Sequence, residues 1–295
     1  FMPSFSIKLN KIAKDVNKHL KVVFSKQINK SFLIKPMQYS LFSGGKRFRA
    51  AIIVNMGKVY NINYEKLIKI GAAVECMHSY SLIHDDLPAM DNDDLRRGKL
   101  STHKKFNEFT AILAGNSLLT LSFEILSSAN LKLSESEKNK LIEALASCSG
   151  QSGLAGGQYL DLSFENKKVT RKNIINMQQN KTGKLFGFCC ESIAIIKKHN
   201  LKKRKILRNL GIDIGLLFQI KDDLIDYTGK SRIVGKPTKS DLKKGKATLI
   251  NLIGYDKTLL FANNLKINID KKITNFGRHT EDLLESVNFI LDRKF

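Results

Sequence analysis

Two aspartate clusters carry the chemistry this sequence is equipped to do. Asp85-Asp86-Leu-Pro-Ala-Met-Asp91 and Asp222-Asp223-Leu-Ile-Asp226 begin 137 positions apart in a chain whose net charge is +23. Each follows a long apolar run, so each is expected at the end of a buried helix. Carboxylates crowded there repel one another, and the negative end of the helix dipole disfavours each by about 0.3–1 kcal/mol. A positive partner must compensate. Closely spaced aspartates without a His or Cys ligand set call for a hard, oxygen-loving cation such as Mg²⁺. A lone acidic cluster is ordinarily a solvated helix end. Two of them, ending the two most apolar helices of the chain, point to metal-assisted diphosphate chemistry instead.

Spacing sharpens this reading. His78 and Asp85 are seven apart, about two helical turns, and so share a face. Pro88 forces the chain out of regular helix, which lets Asp91 return as a further ligand. Asp222 and Asp226 are one turn apart with Asp223 beside them, and Gln219 precedes Asp223 by four on the same face. The cations that would meet diphosphate are equally local. Gly44-Gly45-Lys46-Arg47-Phe48-Arg49 joins a flexible pair to three positive charges, and Arg offers a planar fork to phosphate oxygens. Arg96-Arg97-Gly98 follows the first cluster directly. Lys181-Thr182-Gly183 sits in a helical stretch, where the glycine weakens the helix and favours a kink that exposes a carbonyl. A P-loop is excluded, because its GxxxxGK[ST] spacing is absent.

The elements that must position these residues are helices. Four prolines occur, at 3, 36, 88 and 237, and strand signals are poor. Helical periodicity recurs over about 7–29, 37–60, 65–87, 108–130, 135–157, 171–199, 203–227, 247–262 and 279–294. Leu67 to Ile83 and Ile212 to Ile225 are apolar nearly all round, as central helices of a bundle are. The expected architecture is all-α: one large helical bundle over residues 1–295, with the active-site cavity between central helices.

Composition narrows the alternatives. Hydrophobic residues make up 42% of the 295, enough for a sizeable core. No uninterrupted apolar run reaches the roughly 18–20 residues of a membrane span. The N-terminal segment lacks the apolar core of a secretory signal, and Phe1 ahead of Met2 reads as a remnant. Cys76, Cys148, Cys189 and Cys190 have no metal-ligand spacing and lie in apolar stretches, as buried thiols of a reducing cytosol do. Ten of the 50 basic residues are arginine. The lysines are scattered, and runs such as Lys202–Lys205 have no adjacent aromatics for base stacking, so nucleic acid is not the expected partner. The charge would steer polyanionic substrates inward. The expected protein is cytoplasmic, without stable membrane insertion.

Taken together, GGKRFR (44–49), DDLPAMDNDDLRRG (85–98), GQYLDL (157–162), KTG (181–183) and FQIKDDLID (218–226) resemble the polyprenyl (trans-prenyl) diphosphate synthase family, above all its bacterial farnesyl-producing members. The match runs from about Met37 to Lys246. The resemblance implies head-to-tail condensation of isopentenyl diphosphate with an allylic diphosphate. It implies Mg²⁺, three ions that Mn²⁺ could replace, held by Asp85, Asp91 and Asp222, with Asp86, Asp223 and Asp226 completing the motifs. Arg96, Lys181 and Lys236 would join the metals on the allylic diphosphate, and Lys246 matches another diphosphate-contacting lysine. Lys46, Arg49, His78 and Arg97 match the isopentenyl diphosphate site. Lys181, Thr182 and Gln219 match groups that stabilise the allylic cation, while Gln158 and Asp161 support the site. Tyr80, five positions before Asp85, matches an aromatic floor of the product pocket. That floor and the DDLPAMD form imply a C15 product, farnesyl diphosphate, made through geranyl diphosphate by a homodimer.

The rivals are a geranylgeranyl diphosphate synthase, a terpene cyclase, a non-catalytic subunit of a prenyl synthase and a basic nucleic-acid-binding protein. A cyclase would not need the GGKRFR and RRG cations, and a non-catalytic subunit would be expected to lose catalytic aspartates. Asn92 and Lys221 depart from the family pattern by reducing negative charge near the metals, without removing a ligand.

Overall fold

The computed structural model describes residues 4–26, 32–228 and 245–293. Its helices are α1 (Phe5–Ser25), α2 (Ile34–Leu41), α3 (Phe48–Val59), α4 (Tyr64–Asp85), α5 (Thr102–Lys105), α6 (Glu108–Ser127) and α7 (Glu135–Ser149). There follow α8 (Leu154–Ser163), α9 (Arg171–Gln178), α10 (Lys184–Ile196), α11 (Leu201–Thr228), α12 (Leu249–Ile253), α13 (Tyr255–Thr274) and α14 (Glu281–Asp292). The protein is all-α, as expected. It divides into two compact units, Phe1–Ile142 and Glu143–Phe295, and the division falls within α7.

In the first unit α1 is amphipathic, burying Leu9, Ile12, Val16, Leu20 and Phe24 at helical spacing. α3 and α4 are buried nearly all round. The Asn63 side chain caps α4 by accepting the Lys66 N–H, and Asn107 caps α6 in the same way through Thr110. α4 packs against α1, α3 and α6. Among the described residues α6 is the one helix long and apolar enough to cross a membrane. Its Ala111, Ala114, Gly115, Leu118 and Ile125 are buried in the unit, while Phe109, Ile112 and Leu113 are exposed.

The second unit is built on α10 and α11, which run against each other. Phe186 and Phe218 meet with ring centroids 5.3 Å apart. Buried Glu191 of α10 accepts hydrogen bonds from both Arg204 and Arg208 of α11. α13 and α14 cover another side of α11. Leu207, Leu210, Ile214, Leu217, Ile220 and Leu224 are buried along it, each stabilising the fold by about 1.5–3 kcal/mol.

Three helices expected to be continuous are broken. Residues 37–60 split into α2 and α3 around the Gly-Gly loop, 135–157 ends at Ser149 before α8 begins, and 247–262 is divided at Gly254. A two-residue hairpin that the turn signals did not announce also appears. β1 (Leu95–Arg96) pairs antiparallel with β2 (Lys99–Leu100). Its turn residues, Arg97 and Gly98, both have positive φ, 53° and 73°. Left-handed backbone at both central positions is what a tight hairpin turn requires, normally through Asn-Gly or Asp-Gly.

Candidate functional site

In the first unit α4 ends at Asp85, and the chain doubles back at once. The Asp91 N–H donates to the Asp85 carbonyl at 2.9 Å, and the Asp93 N–H to that of Asp86 at 3.2 Å. Asp91 thus returns beside the helix end, as the spacing predicted. The aspartates are not equivalent. Asp86 is buried and accepts Arg96 Nε at 3.0 Å together with Nη2. Burial holds its carboxyl above the usual range, against the pull of Arg96. Asp85 and Asp91 stay partly exposed. Asp86 therefore anchors Arg96, which also reaches Asp93 at 3.5 Å, while solvent reaches the carboxylates on either side of the turn.

Arg97, beyond Arg96 in the hairpin, faces the Gly-Gly loop. Its Nη1 donates to the Gly44 carbonyl at 2.5 Å. Gly44 and Gly45 have φ of 113° and 104°, and a Cβ on Gly45 would lie 2.6 Å from the Arg97 guanidinium carbon. Only glycine supplies both the backbone and the room. Lys46 is exposed and Arg49 partly so, but Arg47 between them points inward and is 3% exposed. Its Nε donates to Asn17 Oδ1 at 3.0 Å, its Nη2 to the Leu41 carbonyl, and its Nη1 lies 3.5 Å from Glu75 Oε2. Glu75 Oε1 also accepts the Ala50 N–H at 3.2 Å. Sequence reading grouped Arg47 with the other loop cations and passed over Glu75, whose signal was one acid inside the apolar run of α4. Burial, with Arg49, Arg97, Arg47 and Arg96 around it, holds the His78 imidazole well below its usual pKa.

In the second unit Lys181-Thr182-Gly183 forms the end of a π-helical turn, Gln179–Gly183, between α9 and α10. Where a kink was expected the helix instead widens into a π turn, a form frequent at functional sites. α8 packs directly on it at Gly157, where a Cβ would come 2.1 Å from the Lys181 nitrogen. Backbone cannot yield as a side chain can. Gly157→Ala is expected to cost about 1–3 kcal/mol of stability and to displace Lys181 from Asp161, read as a lower Tm.

Asp161 of α8 gathers two lysines on one oxygen, Lys181 Nζ at 2.7 Å and Lys246 Nζ at 2.9 Å; Lys246 also lies 2.8 Å from Glu165. Burial opposes the Asp161 charge, yet the two ammonium groups prevail and hold its carboxyl below the usual range. A hydrogen-bond chain runs alongside. Thr182 Oγ1 donates to Gln219 Oε1 at 2.8 Å, Gln219 Nε2 to Asp223 Oδ1 at 2.9 Å, and Gln178 Nε2 to Asp223 Oδ2 at 2.7 Å. Asp223 and Asp226 are buried, whereas the Asp222 side chain is 45% exposed. Arg293, just past α14, lies 2.8 Å from Asp222 Oδ1 and stacks 3.7 Å over the Phe218 ring. Neither Gln178 nor Arg293 was singled out from sequence. Gln158 is buried on α8, and Lys236 lies outside the described residues.

Asp85 and Asp91 in the first unit, and Asp222 in the second, each offer carboxylate oxygens that solvent reaches, the donor chemistry a divalent cation takes. Among the described residues no three His, Cys, Asp or Glu side chains converge as a ready ligand set. Mg²⁺ needs none, since it takes one or two carboxylates and completes its shell with water and substrate phosphate.

A family model described as polyprenyl synthetase matches residues 30–283. The farnesyl diphosphate synthase of Bacillus subtilis is 40% identical over 244 residues, 82% of either chain. The crystal structure of an FPP/GFPP synthase from Zymomonas mobilis superposes with a TM-score of 0.83 at 37% identity, covering 97% of this chain and 99% of that one. A geranyltransferase of Helicobacter pylori, complexed with magnesium and isoprenyl diphosphate, does so with a TM-score of 0.81 at 30% identity, covering 99% and 98%.

Proposed function

Since this chain belongs to the polyprenyl synthetase family, we propose that it is a farnesyl diphosphate synthase. It joins isopentenyl diphosphate head-to-tail to dimethylallyl diphosphate, and then to geranyl diphosphate. The observation that carries the reading is the chain Thr182–Gln219–Asp223–Gln178 beside the lysine pair on Asp161. Asp223 takes the amide N–H groups of both glutamines, which turns the Gln219 oxygen away from it and towards Thr182. The Thr182 proton is committed to that oxygen, so the Thr182 lone pairs are left to face positive charge. Dipoles fixed in this sense stabilise an allylic cation without reorganising.

The reaction breaks the C1–O bond of the allylic diphosphate. The double bond of isopentenyl diphosphate attacks C1, and the adduct loses a proton to the departing diphosphate. Lys181, Lys246, Arg96 and Lys236 bind the allylic diphosphate. Lys46, Arg49, Arg97 and His78 bind that of isopentenyl diphosphate. Asp85, Asp91 and Asp222 would hold Mg²⁺, three ions for which Mn²⁺ could substitute, and bound metal would supply charge neutralisation of the leaving group. Asp86, Asp223 and Asp226 support them from buried positions. Tyr80 floors the product pocket. The exposed Phe109, Ile112 and Leu113 of α6 offer a second copy an apolar surface, in keeping with a homodimer, and the four buried free thiols suit a cytoplasmic enzyme.

Incubation with Mg²⁺, dimethylallyl diphosphate and isopentenyl diphosphate, followed by chain-length analysis, is expected to yield farnesyl diphosphate. No turnover would sink the enzyme reading, and a dominant C20 product would sink the farnesyl assignment alone.

A further inference from the structure

Tyr80 does not stand alone on α4. One turn on, His84 lies edge-to-face with it, ring centroids 4.9 Å apart and planes at 75°. The His84 ring is confined by α6 as well. Its Nε2 lies 3.0 Å from the Ile112 carbonyl, an acceptor that makes Nε2 the protonated nitrogen. At Gly115 a Cβ would come within 2.4 Å of Nε2 and 2.5 Å of Cδ2. Gly115 thus leaves a slot on α6 into which the imidazole fits, and the carbonyl beside that slot fixes the ring's tilt. Tyr80 rests on the ring so fixed.

We infer that Gly115 and His84 form a seat that holds Tyr80 in one orientation, making both of them determinants of product length although neither is the floor itself. The inference rests on the reading of Tyr80 as that floor. A tyrosine on a helix face has more than one staggered orientation open to it. With the imidazole removed, the phenol can swing into the vacated slot and the pocket deepens. With a methyl at position 115, the imidazole cannot keep its place and the phenol loses its support. His84 acts only through Tyr80, so the first condensation, whose C10 product is shorter, should scarcely change.

The test compares His84→Ala, Gly115→Ala, the double variant and Tyr80→Ala by product chain length, by kcat/KM for the first condensation and by Tm. His84→Ala and Gly115→Ala are each expected to raise the C20-to-C15 ratio about fivefold or more, the scale of one altered pocket contact. Their first-condensation kcat/KM should stay within about threefold of the parent's, because no group at the reacting atoms is removed. Gly115→Ala alone should lower Tm. In the double variant that loss should vanish, because the methyl fills space the ring has left, a coupling that only a direct contact produces. Unchanged product from His84→Ala, while Tyr80→Ala makes C20, would overturn the inference and leave the reading of Tyr80 intact. Unchanged product from Tyr80→Ala would overturn that reading. Equal Tm losses from Gly115→Ala with and without His84 would overturn the seat.

Discussion

Asp85→Asn is expected to lower kcat of the first condensation by about 10²–10³-fold at saturating Mg²⁺, and Asp222→Asn by a similar factor. Charge stabilisation at a leaving group by bound metal is worth several kcal/mol, and each 1.36 kcal/mol lost is about tenfold in rate. Asparagine keeps the shape and one oxygen but gives up the charge, so the fold should survive. The same change at Asp86 should act differently. Its carboxylate is buried and committed to Arg96, so Asp86→Asn should lower Tm and raise KM for the allylic diphosphate more than it lowers kcat. Calorimetric titration of Mg²⁺ in the presence of a non-hydrolysable diphosphate separates metal binding from turnover. Parental kcat and parental metal affinity in the Asp85→Asn variant would remove Asp85 from the ligand set.

That contrast within one motif marks where sequence stops being informative. Type and spacing placed both clusters near the ends of buried helices, because long apolar runs ending in acids have few other structural meanings. They also placed Gln219 against Asp223, which follows from four residues on a helix. What spacing cannot do is tell the buried aspartate from its solvent-reached neighbours, since that depends on Arg96 coming back onto Asp86. The hairpin itself carries Arg at a left-handed position, and periodicity has no signal for that. The helix read over 37–60 failed for a similar reason. Gly44 and Gly45 are tolerated in a periodic pattern, but both adopt positive φ, 113° and 104°, which no α-helix contains, and the Arg97 side chain, more than fifty residues on, packs against them there. Arg293 meets Asp222 through the packing of α14 against α11, a contact with no local sequence counterpart.

Glu75→Gln is expected to destabilise the protein by about 3–5 kcal/mol, and Arg47→Met by a comparable amount, because each strands a buried charge. The side chains are 3% and 2% exposed, so water cannot take over the lost partner. The double variant Arg47→Met, Glu75→Leu should recover much of that loss, since an apolar pair leaves no charge behind. Stability is only half of the expectation. Arg47 ties the loop to α1 through Asn17, to the end of α2 through the Leu41 carbonyl and to α4 through Glu75. Lys46 and Arg49 project from the backbone on either side of it. With the tie gone, the two cations keep their charge but lose their spacing, which weakens ground-state binding more than the chemical step. The double variant should therefore refold with near-parental stability in urea while its KM for isopentenyl diphosphate stays about tenfold above the parent's. Its kcat and its KM for dimethylallyl diphosphate should be nearly unchanged. Parental KM in the restabilised double variant would show that the ion pair holds the fold alone, and that the loop is positioned by Arg97 and its glycines.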